Sequence, residues 1–252
     1  MGGDGLLYRV YERRLAKELE AYDLPQHLGV IVDGNRRWAR ATGATTAEGH
    51  RVGAVKILDF LSWCDDLDIP LVTVWMLSTD NFRRPPEELE ALYGIITDLV
   101  EQIIEAGYHV RLTGSPEMLP VEVRDLIARI QGAAETVSSL TVNVAIGYGG
   151  REEIVDAVRE LVREHGANGD DPDQIAEAIS IESIGEHLYT RGQPDPDLII
   201  RTSGEQRLSG FLLWQSVHSE YWFCETYWPG FRRIDLLRAL RDFCKRERRY
   251  GV

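Results

Sequence analysis

The chain has 252 residues, of which 44% are hydrophobic, and a formal net charge of −13 at pH 7. Its length and hydrophobic content suit one α/β domain with a substantial core, so we expect a single domain over residues 1–252. The surplus of acids excludes a general nucleic-acid binder, because affinity for a phosphate backbone needs a basic surface. Three scattered cysteines exclude a disulfide framework and a zinc site, and favour buried free thiols in a reducing compartment.

The sequence contains no signal for secretion or membrane insertion. The amino terminus lacks a basic start followed by an apolar core. The longest strongly apolar stretch, residues 69–77, is far shorter than the roughly 20 residues of a membrane-spanning helix. We therefore expect a cytoplasmic protein, and predict that any membrane contact is peripheral, at the inner face of the cell membrane.

Hydrophobic periodicity predicts an alternation of strands and helices along the chain. In order, the predicted elements are a packing helix at 6–22, a strand at 28–32, a short helix at 36–40, a helix at 46–67, a strand at 71–77, a helix at 87–106, a strand at 109–113, a helix at 121–137, a strand at 140–146, a helix at 151–165, one or two short helices at 174–188, strands at 197–200 and 221–223, and a helix at 234–249. This order is typical of an α/β fold with a central, mostly parallel sheet of about six strands covered by helices.

Three of the predicted strands end in polar and charged residues. An acid, Asp33, follows the first strand and leads to two arginines, while the polar segments 78–84 and 201–209 follow two later strands. Because the carboxyl ends of parallel strands meet at one edge of a sheet, we expect these groups to converge. Arginine forks and the N–H groups of a helix start bind phosphates, and an acid among phosphates implies a cation such as Mg²⁺ between them. The pattern predicts a diphosphate site.

Several motifs resemble those of the cis-prenyltransferases, also called the undecaprenyl diphosphate synthase family. They are HLGVIVDGNRRWAR from position 27, GHRVGA from 49, STDNFRRP from 78, NVAIGYGGR from 143, DLIIRTSGEQRLSGFLLWQ from 197, SEYWF from 219 and RERRYG from 246. The similarity covers residues 24–251, and the number and order of the motifs argue against chance. Members add isopentenyl diphosphate to an allylic diphosphate and leave a cis double bond. The resemblance thus implies one catalytic domain, a Mg²⁺-dependent transferase with a hydrophobic tunnel for its product.

The resemblance assigns roles to residues after the first strand. It makes Asp33 the catalytic acid that handles Mg²⁺. The further positions implied in binding the allylic diphosphate are Gly34, Asn35, Arg36, Arg37, Trp38 and His50. A lone histidine is more often structural, so the phosphate role of His50 depends on the GHR motif around it.

The second motif matches the family's condensation site. Its substrate-binding positions are Ser78, Thr79, Asp80, Phe82 and Arg84, and its catalytic position is Asn81. An amide is a poor base near neutral pH. We therefore interpret Asn81 as an orienting group, with a diphosphate oxygen as the group that removes the proton.

The later motifs match the isopentenyl diphosphate site and a dimer contact. The isopentenyl diphosphate positions are Arg201, Arg207, Leu208 and Ser209. Glu220 matches the acid that shares the metal with Asp33. Arg249 and Gly251 match an ending that reaches a partner's active site in the family, so the resemblance implies a homodimer with residues 234–252 at its interface.

Three positions depart from the common family pattern. Members often carry an arginine where Thr46 aligns, a tryptophan where Phe82 stands and a histidine where Gln206 stands. Glutamine is a poorer metal ligand than histidine, so the coordination of Mg²⁺ beyond Asp33 and Glu220 stays open at this point.

Product length is indicated by Met76, which aligns where long-chain members tend to have a small residue. The helix at 87–106 also lacks an insertion often seen in long-chain members. Both features predict a short tunnel with Met76 as its wall, unless Met76 is ordinary core filler. The first expectation is C15 Z,E-farnesyl diphosphate made from geranyl diphosphate, and the alternative is a long-chain undecaprenyl or decaprenyl diphosphate synthase.

Other protein classes fit the sequence less well. A trans-prenyl synthase needs paired DDxxD-type motifs, and a nucleotide-binding module needs GxxxxGK[ST] or GxGxxG after the first strand; neither pattern is present. A non-catalytic subunit of a heteromeric prenyltransferase would share the fold. Such subunits typically lack the catalytic acid and the phosphate arginines, all of which are present here, so we expect an enzyme.

Overall fold

Six parallel strands form the centre of the structure, a computed structural model that describes residues 5–115, 119–121, 123–125 and 140–246. The strands are β1 (His27–Ile31), β2 (Leu71–Ser78), β3 (His109–Thr113), β4 (Thr141–Tyr148), β5 (Leu198–Arg201) and β6 (Glu220–Phe223). Their spatial order is β3-β4-β2-β1-β5-β6, and each neighbouring pair is parallel. The predicted fold class and strand number are confirmed.

Helices cover both faces of this sheet. They are α1 (Leu6–Leu19), α2 (Asn35–Thr42), α3 (Thr46–Asp65), α4 (Pro86–Glu105), α5 (Gly150–Asn168), α6 (Pro172–Ala178), α7 (Ile181–His187) and α8 (Arg233–Lys245). The segment predicted as one or two short helices therefore forms two. Most of the helix predicted at 121–137 and the end of the one predicted at 234–249 lie outside the described residues. The sequence did not predict the single 3₁₀ turns Thr79–Arg83, Gln215–His218 and Trp228–Gly230, which are too short to show a hydrophobic period.

Local signals set the ends of the helices that surround the carboxyl edge of the sheet. Thr45 caps α3, because its Oγ1 accepts a hydrogen bond from the Glu48 N–H at 3.2 Å while the Glu48 carboxylate accepts one from the Thr45 N–H at 2.7 Å. Gly43 ends α2 in the left-handed conformation, with φ of 74°. Pro86 opens α4, where its missing N–H costs little.

The sheet separates two hydrophobic cores of unequal size. The larger core joins the sheet to α1, α3, α4 and α8 and includes Phe60, Ile103 and Trp228. The smaller core, on the other face, consists of Ile31, Ala145, Tyr148, Ile199, Phe211 and Leu212. Because helices or loops cover both faces, β1 is buried along its whole length, as its continuous apolar run predicted.

A buried polar network crosses the amino-terminal half of the sheet. The two ring nitrogens of His27 pair with the Pro194 carbonyl at 2.8 Å and with Thr73 Oγ1 at 2.7 Å. Asn143 Nδ2 donates to Thr73 Oγ1 at 3.0 Å, and the amides of Asn143 and Gln193 pair with each other at 2.7 and 3.0 Å. Burial lowers the pKa of His27 to about 4. We call these residues the amino-terminal network; its histidine is neutral at physiological pH.

The cysteines and the helices bear on two expectations from the sequence: free thiols and the lack of a membrane-spanning helix. The three cysteines lie within the described residues and form no disulfide; Cys64 is buried, while Cys224 and Cys244 are half-buried rather than buried as predicted. In the part of the chain that the structure describes, no helix has both the length and the apolar character needed to cross a bilayer.

Candidate active site

The carboxyl ends of β1, β2 and β5 open into one cleft of about 490 Å³. The parallel register explains why they meet, since Ile31 of β1 is level with Trp75 of β2 and Arg201 of β5. The predicted site residues that line the cleft are Asp33, Gly34, Asn35, Arg36, Arg37, His50, Ser78, Asp80, Asn81, Arg84, Arg201 and Ser209. We call the residues that follow β1, β2 and β5 the first, second and third strand exits. Their expected convergence in one cleft is therefore observed.

Asp33 provides the carboxylate that contacts two of the arginines in this cleft. Its Oδ2 accepts a hydrogen bond from Arg201 Nη2 at 3.0 Å and lies 3.5 Å from Arg37 Nη2. Burial raises the pKa of Asp33, but the hydrogen bond and charge of Arg201, with the charge of Arg37, outweigh it, so the pKa lies below its ordinary value. Asp33 is therefore ionised at neutral pH.

The turn after Asp33 requires a glycine. Gly34 has a φ of 104°, and a Cβ atom there would lie 2.9 to 3.0 Å from Tyr227. Helix α2 starts at the next residue without a side-chain cap, so its first N–H groups are available to an anion. The backbone of Asp33 is fixed by Thr202, whose hydroxyl donates to the Asp33 carbonyl at 2.7 Å.

Arg37 connects the first strand exit to the third. Its Nη2 donates to Ser203 Oγ at 2.6 Å and its Nη1 to Glu205 Oε1 at 3.1 Å. The guanidinium also lies over the Tyr227 ring, 5.6 Å from its centroid. The Glu205 carboxylate forms a second ion pair with Arg207. One acid thus links arginines assigned to the two different diphosphates.

The second strand exit positions Asn81 through a backbone cap. The Ser78 N–H donates to Asn81 Oδ1 at 3.2 Å at the start of the 3₁₀ turn. This contact occupies the amide oxygen and leaves the Nδ2 group for the cleft that Asn81 lines. The arrangement agrees with an orienting role better than with a basic one.

The third strand exit is a loop with unusual backbone conformation. Ser203, Ser209 and Leu212 have positive φ values of 79°, 53° and 45°. Such non-glycine residues cost roughly 1 to 3 kcal/mol each and persist only where the surroundings impose them. Arg201, which is 5% exposed, restrains the loop by donating to Ser209 Oγ at 2.9 Å and to the Arg207 carbonyl.

Three buried polar atoms at the cleft lack a hydrogen-bond partner within the protein. They are Asn35 Oδ1, Arg201 Nε and His50 Nε2, of which His50 Nε2 has the Glu88 carboxylate 3.6 Å away, just beyond hydrogen-bond distance. All three residues line the cleft. Because an unpaired buried polar atom costs about 1 to 3 kcal/mol, its occurrence beside a cavity indicates a ligand that supplies the missing partner. A polyanion with many acceptor oxygens would satisfy the two nitrogen atoms.

Comparison with known proteins identifies the family. The sequence profile described as "Putative undecaprenyl diphosphate synthase" matches residues 31–251. The chain belongs to this family of cis-prenyltransferases. It is 54% identical to (2Z,6E)-farnesyl diphosphate synthase of Thermobifida fusca, covering 97% of both chains. It is 53% identical to isoprenyl transferase 1 of Streptomyces avermitilis, covering 98% of this chain and 96% of the relative.

A solved structure supports the same assignment. Lavandulyl diphosphate synthase from Lavandula x intermedia, in complex with dimethylallyl diphosphate, superposes with a TM-score of 0.82 at 33% sequence identity. The alignment covers 91% of this chain and 99% of the lavender chain. The six-stranded parallel sheet is thus the cis-prenyltransferase fold.

Some residues predicted for the cis-prenyltransferase site do not line the cleft. They are Trp38, Thr79, Phe82, Arg207, Leu208 and Glu220. Phe82 packs against the larger core and Leu208 against the smaller one. Arg207 is exposed and contributes its carbonyl to Arg201.

Glu220 is the clearest departure from expectation. It begins β6 level with Leu198, whereas Arg201, beside Asp33, is level with Phe223 at the other end of the strand. The carboxylate forms an ion pair with Arg246. Within one chain, therefore, Glu220 and Asp33 do not share a metal site, because the parallel register places them at opposite ends of the sheet.

The structure adds residues to the site that the sequence reasoning missed. Ile31, Val32, Arg40 and Trp75 also line the cleft of this cis-prenyltransferase. Arg40 was detectable, since it lies four residues after Arg36 on the same face of α2. The others are ends of buried apolar strands and carried no separate signal.

An apolar pocket of about 40 Å³ lies beneath the cleft. Val32, Asn35, His50 and Met76 line both cavities and form the boundary between them. The deeper walls come from apolar side chains of α3 and α4 and from Trp228. The pocket is much smaller than the cleft of about 490 Å³.

Proposed function

We propose that this cis-prenyltransferase condenses isopentenyl diphosphate with an allylic diphosphate, releases diphosphate and forms a short-chain Z-prenyl diphosphate. The observation that carries the proposal is the single cleft in which two groups of phosphate-binding residues meet at one ionised acid. Arg36, Arg37 and Arg84 are on the side of α2 and β2, and Arg201 and Ser209 are on the side of β5. Two diphosphates can therefore bind side by side.

The residues of the cleft account for the steps of this reaction. As the bond between the allylic carbon and its diphosphate breaks, negative charge grows on the leaving group, where the start of α2 and Arg36 and Arg37 stabilise it. The terminal carbon of isopentenyl diphosphate (C4) forms the new bond to the allylic carbon, which leaves positive charge at C3. C2 then loses a proton, and the new double bond forms between C2 and C3. A diphosphate oxygen accepts that proton, and the Nδ2 group of Asn81 holds the reacting end in place.

Magnesium belongs to the proposal because the donor set fits it. The described residues contain no group of three or more His, Cys, Asp or Glu side chains able to hold a metal alone. Mg²⁺ typically uses one or two carboxylates together with substrate phosphates. Asp33 is ionised, borders the cleft and would hold the ion. When bound, Mg²⁺ supplies neutralisation of the diphosphate charge.

The product we propose is Z,E-farnesyl diphosphate, with geranyl diphosphate as the allylic substrate. It is supported by the Thermobifida relative named a (2Z,6E)-farnesyl diphosphate synthase and by the small apolar pocket. We also infer a single catalytic domain, a homodimer, a cytoplasmic location and peripheral delivery of the product to the membrane. The residues whose resemblance supports the dimer, Arg249 and Gly251, lie outside the described residues.

The direct test is incubation of the purified single chain with Mg²⁺, labelled isopentenyl diphosphate and geranyl diphosphate. Chromatography of the product is expected to show a C15 chain with a Z double bond at the newly added unit. Chains of C50 or longer would favour the long-chain alternative. Complete inactivity of the correctly folded chain would favour a non-catalytic subunit.

The role of Met76 in chain length has its own test. Met76→Ala removes part of the wall between the cleft and the apolar pocket and so leaves more room for the growing chain. The product is therefore expected to gain at least one isoprene unit. Leu61→Ala is the matched control, because Leu61 is fully buried in the larger core but does not line the pocket. If Met76→Ala makes the same product as the wild type, Met76 is core filler.

A further inference from the structure

We propose that Glu88 is a positioning residue for the allylic diphosphate: it gathers two arginines and a histidine of the cleft into one arrangement before the substrate arrives. The inference rests on the proposed function, which assigns the allylic diphosphate to this side of the cleft. The sequence motifs did not single out Glu88.

One oxygen atom of Glu88 lies close to all three side chains. Glu88 Oε1 lies 3.2 Å from Arg84 Nη1, 3.6 Å from His50 Nε2 and 3.9 Å from Arg36 Nε. The three partners come from separate parts of the chain: α2, α3 and the segment before α4. A single carboxylate thus connects α2, α3 and the segment before α4 on the allylic side of the cleft.

Glu88 contacts its three partners from the side that faces away from the cleft. Arg36, His50 and Arg84 line the cleft, whereas Glu88 does not. Its side chain is only 16% exposed, so water screens its contacts with His50 and Arg84 weakly, whereas the contact with Arg36, which is 46% exposed, is screened more. Glu88 lies in the first turn of α4, where its own N–H donates to the Pro85 carbonyl at 3.0 Å. The helix start favours a negative charge there and fixes its position.

Without this carboxylate Arg36 and Arg84 would repel each other, and both would disfavour a proton on His50. Burial and the charge of Arg84 lower the pKa of His50, and the charge of Glu88 opposes the shift. Burial likewise lowers the pKa of Arg84, again opposed by Glu88. Glu88 therefore offsets the electrostatic cost of placing these groups together, and a diphosphate finds its donors already arranged.

The two consequences of removing Glu88 have opposite signs. A more positive cleft would attract the diphosphate more strongly, whereas disordered donors would bind it less well. The side chains of His50 and Arg84 are 10% and 22% exposed, so separating them changes contacts inside the site rather than in solvent. Errors of position of about 1 Å in such a site cost about a hundredfold in rate, so we expect the loss of order to dominate.

The experiment compares Glu88→Gln, which keeps the shape and removes the charge, with Glu88→Asp and the control Glu87→Gln. Glu87 is an exposed acid on the same helical turn. For Glu88→Gln we expect the KM for geranyl diphosphate to rise about tenfold, with the KM for isopentenyl diphosphate changed less than about twofold. Glu88→Asp should give a rise of about threefold, since the shorter side chain cannot reach all partners. Glu87→Gln should match the wild type.

The outcomes separate this inference from the function on which it rests. A wild-type chain that forms no prenyl diphosphate rejects the proposed function. An active wild type whose Glu88→Gln variant has an unchanged or lower KM for geranyl diphosphate rejects only the positioning role. Equal rises in both KM values would also reject it, because they indicate general disorder. If Glu88→Gln does not fold, an unchanged KM in Glu88→Asp overturns the inference.

Discussion

Buried polar groups are paired with one another at the amino-terminal end of the central sheet, whereas several at the carboxyl end have no partner. Strands β1 and β2 contribute to both ends. In the amino-terminal network, His27, Thr73 and Asn143 are fully buried and satisfy one another without a net charge. At the carboxyl ends, Asp33 and the arginines are charged and border a cavity of about 490 Å³. Polar atoms there still lack partners.

This difference distinguishes a structural polar network from a binding site. Burial alone does not, because both ends contain buried polar side chains. A closed network specifies how strands and loops pair, and it loses stability when a member is removed. An open set of charged groups beside a cavity is completed only by a ligand. Mutations at the two ends should therefore separate activity from stability.

The largest expected effect is at the carboxyl end. Asp33→Ala should lower turnover about a thousandfold, because it removes the acid between the two diphosphate sites and leaves Arg37 and Arg201 without it. The melting temperature should change by no more than about 4 °C. Asp59→Ala, at an acid on α3 that pairs with Lys56 outside the cleft, is the control. Retention of more than a tenth of wild-type turnover would count against the site.

At the amino-terminal end, pH should affect stability through His27. Its pKa is about 4 in the folded chain and 6.5 ordinarily, so between these values the unfolded chain binds a proton that the folded chain does not. Stability should therefore fall as the pH drops through this window, by roughly 3 kcal/mol. Urea unfolding at pH 7 and pH 4 measures the change.

The variant His27→Gln isolates this contribution from other titrating groups. It should show a flatter dependence of unfolding free energy on pH than the wild type over the same range. An identical slope in both proteins would mean that His27 has the same pKa in the folded and unfolded chains, and would contradict its burial in a closed amino-terminal network.

A somewhat smaller effect is expected for Thr73→Val. The change keeps the side-chain shape but removes the partner of both His27 Nε2 and Asn143 Nδ2. We expect a loss of about 2 kcal/mol in the free energy of unfolding, with kcat of the folded protein unchanged. A fall in kcat without a loss of stability would show that the two ends are coupled.

The smallest expected effect again concerns the cleft. Asn81→Asp retains an oxygen that can accept from the Ser78 N–H, but replaces the Nδ2 donor with a negative charge facing the diphosphates. Steady-state kinetics should show kcat reduced about tenfold, with the melting temperature unchanged. Full turnover would contradict an amide-specific orienting role.

The elements near the site were predictable because their signals are local. Strand β1 is a continuous apolar run that stops at Asp33, and Gly34 is required by the backbone of the turn. Parallel strands place their carboxyl ends together, so the convergence of three exits followed from their order. The 3₁₀ turn at Thr79–Arg83 was not predictable in this way, because it is too short to show a hydrophobic period and its capping box involves only Ser78 and Asn81.

The sequence by itself determined the α/β class, the family motifs and the acid and arginines of the cleft. The tertiary structure decided which side chains share a space. It placed Glu220 at the amino-terminal end of β6, assembled two arginines and a histidine around Glu88, and made Met76 a boundary between the cleft and a small apolar pocket. The physical reason is the distance along the chain over which each effect acts. Propensity and periodicity act over a few residues, whereas sheet register and helix packing join residues far apart in the chain.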